Sequence, residues 1–160
     1  MVNKDLSHIK IVLTDIDGVW TDSKFYYNND GFAFKSFSTY DGMAIELLKK
    51  NDLDTIIISS ENCNAVKARA KKLKINDIYI GEKNKLQRAY SICKKFNIEL
   101  KNLAFIGDDV NDLELLKVVG FSAMPPNSPI LDLFTPDYIT NRYGGDGAFR
   151  DFADTILSNR

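Results

Sequence analysis

Two carboxyl groups near the start of the chain are the first residues whose spacing suggests chemistry. Asp15 and Asp17 follow the apolar run Ile9–Leu13, and Gly18 comes directly after them. Neighbouring negative charges at the end of a buried strand repel each other and lose hydration unless a cation compensates them. Mg²⁺ prefers oxygen ligands and needs only one or two carboxylates. The spacing therefore indicates a magnesium site, and a pair of aspartates capping a loop is the alternative interpretation.

The same pair of carboxyl groups suits phosphoryl transfer. A carboxylate beside a divalent ion can attack phosphorus and form an aspartyl-phosphate, which is the role we predict for Asp15. A second carboxyl group can protonate the leaving oxygen and later activate water, which is the role we predict for Asp17. Gly18 would let the chain turn sharply beneath a bound phosphate.

A second acidic group follows another apolar run. Asp108 and Asp109 come after Leu103–Ile106 and Gly107. Asp108 could complete the metal site with Asp15, whereas Asp109 suits a helix cap.

A hydroxyl group and an ammonium group complete the set. Ser59 ends the apolar run Thr55–Ile58, where its hydroxyl and a backbone N–H could hold phosphate oxygens at a helix start. Lys85 opens a predicted helix and could neutralise both the nucleophile and the phosphate. A single serine or lysine is usually solvated surface, but these groups stand in order at successive strand ends. We therefore predict that they meet in one site.

The elements that must position these residues alternate between short apolar strands and amphipathic helices. This pattern predicts an α/β fold, a Rossmann-like doubly wound parallel sheet with helices on both faces. The carboxyl ends of its strands then share one edge, where ligands bind. The predicted strands are Ile9–Leu13, Thr55–Ile58, Ile78–Ile80, Leu103–Ile106, Phe121–Met124 and Tyr138–Ile139, and the predicted helices are Asp41–Lys50, Asn62–Leu73, Lys85–Phe96, Asp109–Val118 and Ala148–Leu157.

One segment departs from this alternation. Lys24–Tyr27 and Phe32–Phe37 alternate apolar and polar residues around Asn28-Asn29-Asp30-Gly31, which ends in the hairpin dipeptide Asp-Gly. We predict a small β-hairpin flap at about residues 23–38, no large cap domain, and a single domain over residues 1–160.

Composition narrows the classes of partner. The 160 residues are 44% hydrophobic and 27% charged, with a formal net charge of −1, so neither nucleic acid nor an anionic membrane is an expected partner. No apolar run approaches the roughly 20 residues of a membrane span. Met1–Lys10 is polar and does not resemble a signal peptide. Cys63 and Cys93 are expected to be reduced thiols, and we expect a cytoplasmic protein.

The ordered set of motifs resembles the haloacid dehalogenase superfamily of phosphohydrolases. The matching residues are Asp15-Ile16-Asp17-Gly18, Ser59, Lys85 and Gly107-Asp108-Asp109, and the resemblance runs from about residue 9 to residue 157. The hairpin and the lack of a large cap resemble the capless subgroup. That subgroup contains phosphatases of 3-deoxy-D-manno-octulosonate 8-phosphate and of nine-carbon, sialic-acid-type 9-phosphates. The glycine-rich segment 144–150 is similar to the tail of that subgroup.

The resemblance implies a role for each matching residue. Asp15 attacks the phosphate, Asp17 supplies and removes the proton, and Ser59 and Lys85 fix the phosphoryl oxygens. Mg²⁺ is held by Asp15, by the backbone carbonyl of Asp17 and by Asp108. The resemblance also implies a homotetramer in which hairpins pack together and a neighbour's tail helps to close each site.

Several further residues bear on the substrate. Glu61 and Tyr40 stand where the eight-carbon enzymes resemble one another in having arginine, and the nine-carbon relatives carry glutamate with a lysine matched by Lys72. The resemblance thus favours a nine-carbon 2-keto-3-deoxy acid 9-phosphate, such as the deaminated sialic acid KDN, bound by Glu61, Lys72, Thr39 and Arg150. A glutamate in the first turn of a helix, favoured by the helix dipole, is the alternative for Glu61.

Three other functions compete with this hypothesis. The first is hydrolysis of 3-deoxy-D-manno-octulosonate 8-phosphate. The second is a non-catalytic oligomerisation module associated with an acylneuraminate cytidylyltransferase, which the intact Asp15 and Asp17 pair argues against. The third is a phosphomutase, which is disfavoured because no segment is long enough to form a separate cap.

Overall fold

Eight strands and five α-helices follow one another along the part of the chain that the structure, a computed structural model, describes, namely residues 4–160. The first three residues of the predicted domain lie outside this range. The strands are β1 (Ile11–Thr14), β2 (Tyr26–Asn28), β3 (Gly31–Phe34), β4 (Asp54–Ser59), β5 (Ile78–Ile80), β6 (Leu103–Ile106), β7 (Phe121–Met124) and β8 (Tyr138–Ile139), and the helices are α1 (Thr39–Lys50), α2 (Asn64–Lys72), α3 (Lys85–Phe96), α4 (Leu113–Leu116) and α5 (Ala148–Ser158).

Six of the strands form one sheet in the order β5-β4-β1-β6-β7-β8, and every neighbouring pair is parallel. β1 therefore lies inside the sheet, between β4 and β6. In register, Thr14 pairs with Ile57 on one side and with Ile106 on the other. The residues that follow these three strands thus emerge together at one edge. The predicted α/β architecture is confirmed.

Apolar side chains cover both faces of the sheet. One face packs against α1, α2 and α5, and the other packs against α3 and α4. Trp20 is fully buried on the first face, where its ring lies 5.1 Å from that of Phe149. The expected helices on both faces are therefore present, and they hold the central strands rigidly behind the residues at the carboxyl edge.

Three helix starts differ from their predicted positions: α2 begins at Asn64 rather than Asn62, and the other two differ for identifiable reasons. α1 begins at Thr39 rather than Asp41, because the Ser38 side chain accepts the backbone N–H of Tyr40 at 3.2 Å. The predicted helix Asp109–Val118 shrinks to α4, four residues long. The Asp112 carboxylate accepts the backbone N–H groups of Asp108 and Asp109, and so holds this segment as a turn.

β2 and β3 form the predicted antiparallel hairpin between β1 and α1. We call residues 23–38 the flap. Five of its aromatic rings are exposed, and Tyr26 stacks on Phe34 with ring centroids 4.4 Å apart. Nothing larger is inserted between β1 and α1 to act as a cap. Among residues 4–160, no helix is both long and apolar enough to cross a membrane.

Candidate active site

Asp15 lies at the carboxyl end of β1, where its position is fixed by the sheet. Its backbone N–H donates to the carbonyl of Ile106 on β6 at 3.0 Å, and its side chain is almost fully buried. Oδ2 lies 2.9 Å from Nζ of Lys85. Oδ1 is buried and has no hydrogen-bond partner among the described residues. One oxygen of the predicted nucleophile is therefore held, and the other is available.

Lys85 is a buried cation that opens α3. Its Nζ donates to Asp112 Oδ1 at 2.6 Å and contacts Asp15. Burial alone would lower the pKa of this ammonium, but the charges of Asp15 and Asp112 raise it above its usual value. Lys85 is thus held in its charged form beside the nucleophile, where it can neutralise a phosphoryl group.

Three carboxylates lie close enough together to be candidate ligands of a divalent cation, although both oxygens of Asp112 already accept N–H groups. Asp15, Asp108 and Asp112 each offer an oxygen, and these oxygens lie within 4.8 Å of one another. Burial and the charge of Asp112 raise the pKa of Asp15 to about 7, although the charge of Lys85 opposes this shift. Burial and the charges of Asp15 and Asp112 raise the pKa of Asp108 to about 8. Buried carboxylates that resist ionisation when alone, together with the free Oδ1 of Asp15, fit a hard cation such as Mg²⁺.

Two glycines allow these carboxylates to come so close. Gly18 adopts φ of +86°, and a Cβ added there would lie 1.7 Å from Asp108 Oδ2. A Cβ added at Gly107 would lie 2.5 Å from Cγ of Asp112. The glycines of both acidic motifs therefore make room for neighbouring carboxyl groups.

Asp17 contacts a residue that sequence reasoning missed. Its Oδ1 forms an ion pair with Nζ of Lys35, which comes from the flap directly after β3. The Asp17 carboxyl group thus points toward the flap, as a group kept off the metal should. The sequence carried no signal that separated Lys35 from an exposed flap lysine such as Lys24, because the burial of Lys35 depends on how the flap docks.

Ser59 is buried at the end of β4, next to β1 and at the same edge as Asp15. Its hydroxyl accepts the backbone N–H of Glu61 at 3.3 Å. The neighbouring Ser60 hydroxyl accepts Nδ2 of Asn111 at 2.9 Å and donates to the carbonyl of Glu82 at 3.2 Å. The two serines therefore connect the segments that carry Asp108 and Lys85 to the end of β4.

The predicted substrate-binding residues do not gather in one place. Glu61 lines a recess of about 330 Å³ with the flap residues Phe25, Tyr27 and Phe32. Lys72 lies at the far end of α2 and lines a different recess, beside the C-terminal half of α1. The nine residues of α2 span about 13 Å, and Lys72 forms no ion pair with Glu61 among the described residues. The role of Lys72 beside Glu61 stays a prediction.

The other two predicted substrate residues lie on helices. Thr39 is exposed at the first position of α1. Arg150 is half-buried in the first turn of α5, where its Nε is 2.8 Å from both carboxylate oxygens of Asp154. Within one chain the Arg150 guanidinium is therefore engaged by Asp154, and its contact with a substrate carboxylate stays a prediction.

The glycine-rich tail of the same chain packs against the loop after β1. A Cβ at Gly144 would lie 1.9 Å from the carbonyl oxygen of Gly18, and one at Gly145 would lie 2.7 Å from the backbone nitrogen of Asp22. The Gly145 N–H donates to the carbonyl of Val19 at 3.1 Å. The tail thus supports the loop that carries Asp17, and the neighbour's tail expected at each site stays a prediction.

Comparison with known proteins agrees with this geometry. The model of the haloacid dehalogenase-like hydrolase family matches residues 21–131. The 3-deoxy-D-manno-octulosonate 8-phosphate phosphatase of Haemophilus influenzae is 32% identical over 156 residues, which cover 98% of this chain and 87% of that protein.

Two solved structures superpose closely on this fold. The 3-deoxy-D-manno-octulosonate 8-phosphate phosphatase of Moraxella catarrhalis, in complex with magnesium ion, phosphate ion and KDO, has a TM-score of 0.92 and 35% identity, covering 97% of this chain and 89% of that chain. The cobalt-bound Haemophilus influenzae phosphatase has a TM-score of 0.91 and 32% identity, covering 98% and 91%. The motifs, the hairpin flap and these matches together show that the chain belongs to the haloacid dehalogenase-like hydrolase family and is a phosphatase of its capless subgroup.

Proposed function

We propose that this chain is a Mg²⁺-dependent phosphatase that hydrolyses the phosphate monoester of a 2-keto-3-deoxy sugar acid through an aspartyl-phosphate on Asp15. The observation that carries this proposal is the environment of the Asp15 carboxyl group. Lys85 holds Oδ2 at 2.9 Å, Oδ1 has no partner among the described residues, and the oxygens of Asp108 and Asp112 lie within 4.8 Å. This arrangement suits a nucleophile beside a cation.

Each residue has a distinct part in the proposed reaction. Asp15 attacks phosphorus while Lys85 and Ser59 hold phosphoryl oxygens in place. Asp17 protonates the leaving oxygen, and then takes a proton from the water that hydrolyses the aspartyl-phosphate. A cation bound by Asp15, the Asp17 carbonyl and Asp108 supplies positive charge that balances the phosphoryl oxygens. Positioning and charge neutralisation account for most of the catalysis of phosphoryl transfer.

The first candidate substrate is 3-deoxy-D-manno-octulosonate 8-phosphate. The Haemophilus influenzae and Moraxella catarrhalis relatives are named for this activity, and each aligns over nearly the whole of this chain. This similarity favours the eight-carbon alternative over the nine-carbon substrate expected from Glu61 and Tyr40.

A nine-carbon 9-phosphate is the second candidate, because Glu61 faces a recess beside the flap. A carboxylate there could accept hydrogen bonds from the hydroxyl groups of a longer chain. Parallel measurement of kcat/KM on the eight- and nine-carbon substrates decides between the two. If Glu61 selects nine carbons, Glu61→Arg shifts the ratio at least about tenfold toward eight carbons. The control is Glu46→Arg on α1, and an unchanged ratio in Glu61→Arg excludes this selective role.

The nucleophile is tested by Asp15→Asn, which keeps the shape of the side chain and removes its charge. We expect turnover of an aryl phosphate to fall at least about 10³-fold, because an amide oxygen does not form the acyl-phosphate. Asp132→Asn, at an exposed aspartate, is the control and should keep full activity. Near-normal turnover by Asp15→Asn with an unchanged Tm would exclude the aspartyl-phosphate mechanism.

A further inference from the structure

Lys35 is a buried lysine that the roles described so far do not use. It lies in the flap, yet its side chain has no exposed surface. Its Nζ contacts two groups: the Asp17 carboxylate, through Oδ1, and the face of the Phe25 ring, whose centroid is 4.3 Å away. Phe25 belongs to the other side of the flap, so Lys35 joins both sides of the hairpin to the loop after β1.

The burial of this ammonium requires a compensating partner. Removing a lysine from water is costly unless an opposite charge or an aromatic face replaces the lost hydration. Asp17 supplies the only carboxylate that pairs with Lys35 within residues 4–160. The lysine therefore stays inside only while the flap is docked and the Asp17 carboxyl group points toward it.

Asp17 in turn is held by one oxygen only. Its Oδ1 is taken by Lys35, and its Oδ2 is buried without a hydrogen-bond partner among the described residues. A carboxyl group that is paired at one oxygen and unpaired at the other has a fixed direction in which it can donate its proton. Such fixed placement raises the rate of a proton transfer without any contribution to substrate binding.

We infer that Lys35 is the positioning residue for Asp17, and that it makes the acid/base step depend on a docked flap. The inference rests on the proposed role of Asp17. In the first step, a bond forms between Asp15 and phosphorus, the bond from phosphorus to the leaving oxygen breaks, and the proton of Asp17 goes to that oxygen. In the second step, water attacks phosphorus, the bond to Asp15 breaks, and a proton of the water returns to Asp17. Lys35 fixes the carboxyl group in both steps.

The flap offers a matched control for this inference. Lys24 is also a flap lysine paired with an aspartate, Asp22, but its side chain is 71% exposed. Lys35→Met and Lys24→Met remove the same charge from the same hairpin, and methionine is apolar enough to remain beside Phe25. For an alkyl phosphate, we expect kcat of Lys35→Met to fall between about 10- and 100-fold with KM changed less than about threefold, because loss of a general acid altogether costs about 10²–10⁴-fold. Lys24→Met should stay within about twofold of the wild type.

A substrate with a different leaving group distinguishes the loss of acid positioning from general damage to the active site. The anion released from 2,4-dinitrophenyl phosphate needs no proton, so the burst that measures its release should change less than about threefold in Lys35→Met. A burst slowed as much as alkyl phosphate turnover would overturn the inference. Lys35→Gln, which keeps a donor for Asp17, should lose less alkyl phosphate turnover than Lys35→Met. An equal loss in the two variants also counts against it.

A double-mutant cycle of Lys35 and Asp17 distinguishes failure of this inference from failure of the proposed function. In an Asp17→Asn background, Lys35→Met should change the residual rate less than about threefold, because the group that it positions is gone. If Lys35→Met lowered this residual rate as much as it lowers the rate of the wild type, Lys35 would act through a group other than Asp17. If Asp17→Asn alone kept full alkyl phosphate turnover, the proposed role of Asp17 would be wrong. Equal orthovanadate affinity in wild type and Lys35→Met confirms that the phosphate site is intact, and if Lys35→Met does not fold, Lys35→Gln is carried through the same cycle.

Discussion

Around the nucleophile, one ammonium group faces three carboxyl groups. Lys85 contacts Asp15 and Asp112, and Asp108 lies close to both aspartates. All four side chains are buried, so neither water nor salt screens their charges efficiently. The three carboxyl groups therefore repel one another within one chain, and a bound cation reduces this repulsion.

The burial and mutual repulsion of these carboxyl groups predict how the stability of the metal-free protein depends on pH. The pKa values of Asp15, about 7, and of Asp108, about 8, lie above the value near 3.9 of an unfolded aspartate. Between about pH 4 and pH 8 the unfolded chain therefore releases protons that the folded chain retains, and metal-free stability falls as the pH rises. We expect the Tm without metal to be at least about 3 °C lower at pH 8.5 than at pH 5.5, as measured by calorimetry.

The response to Mg²⁺ checks the same charges. At about 100 times its Kd, a bound ligand adds about 2.7 kcal/mol, or roughly 5–10 °C in a protein of this size. The increase should be larger at pH 8.5, where the aspartates give up their protons more easily. Asp108→Asn should flatten the pH dependence and remove most of the Mg²⁺ effect. A Tm that rises with pH in the metal-free protein would contradict this account.

Gly18 gives a second prediction at the scale of one residue. Gly18→Ala places a methyl group where Asp108 Oδ2 now lies, 1.7 Å from the new Cβ, so the carboxylate must move. We expect Mg²⁺ affinity, measured by titration calorimetry, to fall at least about 10-fold, in line with the loss caused by misplaced ligands. Gly31→Ala is the matched control, because Gly31 also has a positive φ (+112°) but no atom within 4 Å of the added Cβ. Equal affinity in the two variants would show that the packing of Gly18 does not matter.

Among the elements, α5 depends on a side chain from another helix. Its N-cap is Gly147, which has no side chain to accept the first N–H groups. Asp41 of α1 accepts the N–H of Arg150 at 2.9 Å. Burial raises the pKa of Asp41 to about 7. The cap thus joins α1, which follows the flap, to α5, which follows the glycine-rich tail.

Loss of this cap should destabilise the protein. Asp41→Ala leaves the Arg150 N–H without its acceptor, and loss of a helix cap costs about 0.5–2 kcal/mol. We expect the Tm to fall by roughly 2–8 °C, whereas Asp132→Ala, at an exposed aspartate, should change it by less than about 1 °C. An Asp41→Ala protein as stable as the wild type would mean that water caps α5 equally well.

The sequence predicted the elements that local patterns determine. Strands such as β6 and β7 and helix α3 have their predicted bounds, because apolar periodicity and capping residues act within a few positions. The prediction failed where a side chain competes for nearby backbone N–H groups: Asp112 turns the start of the predicted fourth helix into a loop. The strand order placed Asp15, Ser59, Lys85 and Asp108 at one edge, as expected. The burial of Lys35 depends on how the flap docks, and the separation of Glu61 from Lys72 depends on the length of α2. Spacing along the chain reveals neither of these.

At the scale of the whole molecule, the flap exposes an apolar surface. Tyr26, Tyr27, Phe32 and Phe34 are all exposed, and clustered exposed rings usually mark an interface. This surface agrees with the predicted homotetramer in which the flaps pack together.

Light scattering tests this prediction. We expect the wild type to be a tetramer and Phe34→Ser, which removes a ring from the exposed stack with Tyr26, to shift it toward smaller species at micromolar concentration. Tyr90→Ser on α3 removes an exposed ring outside the flap and should leave the tetramer intact. A wild-type monomer with full activity would refute the predicted assembly.

The central place of β1 in the sheet has a consequence for biosynthesis. β1 is synthesised before both of the strands that flank it, β4 and β6. A nascent chain on the ribosome therefore carries Asp15 long before it carries Asp108, and it has no complete cation site until β6 has emerged. Phosphatase activity and tight ion capture should thus arise only after β6 has emerged from the ribosome.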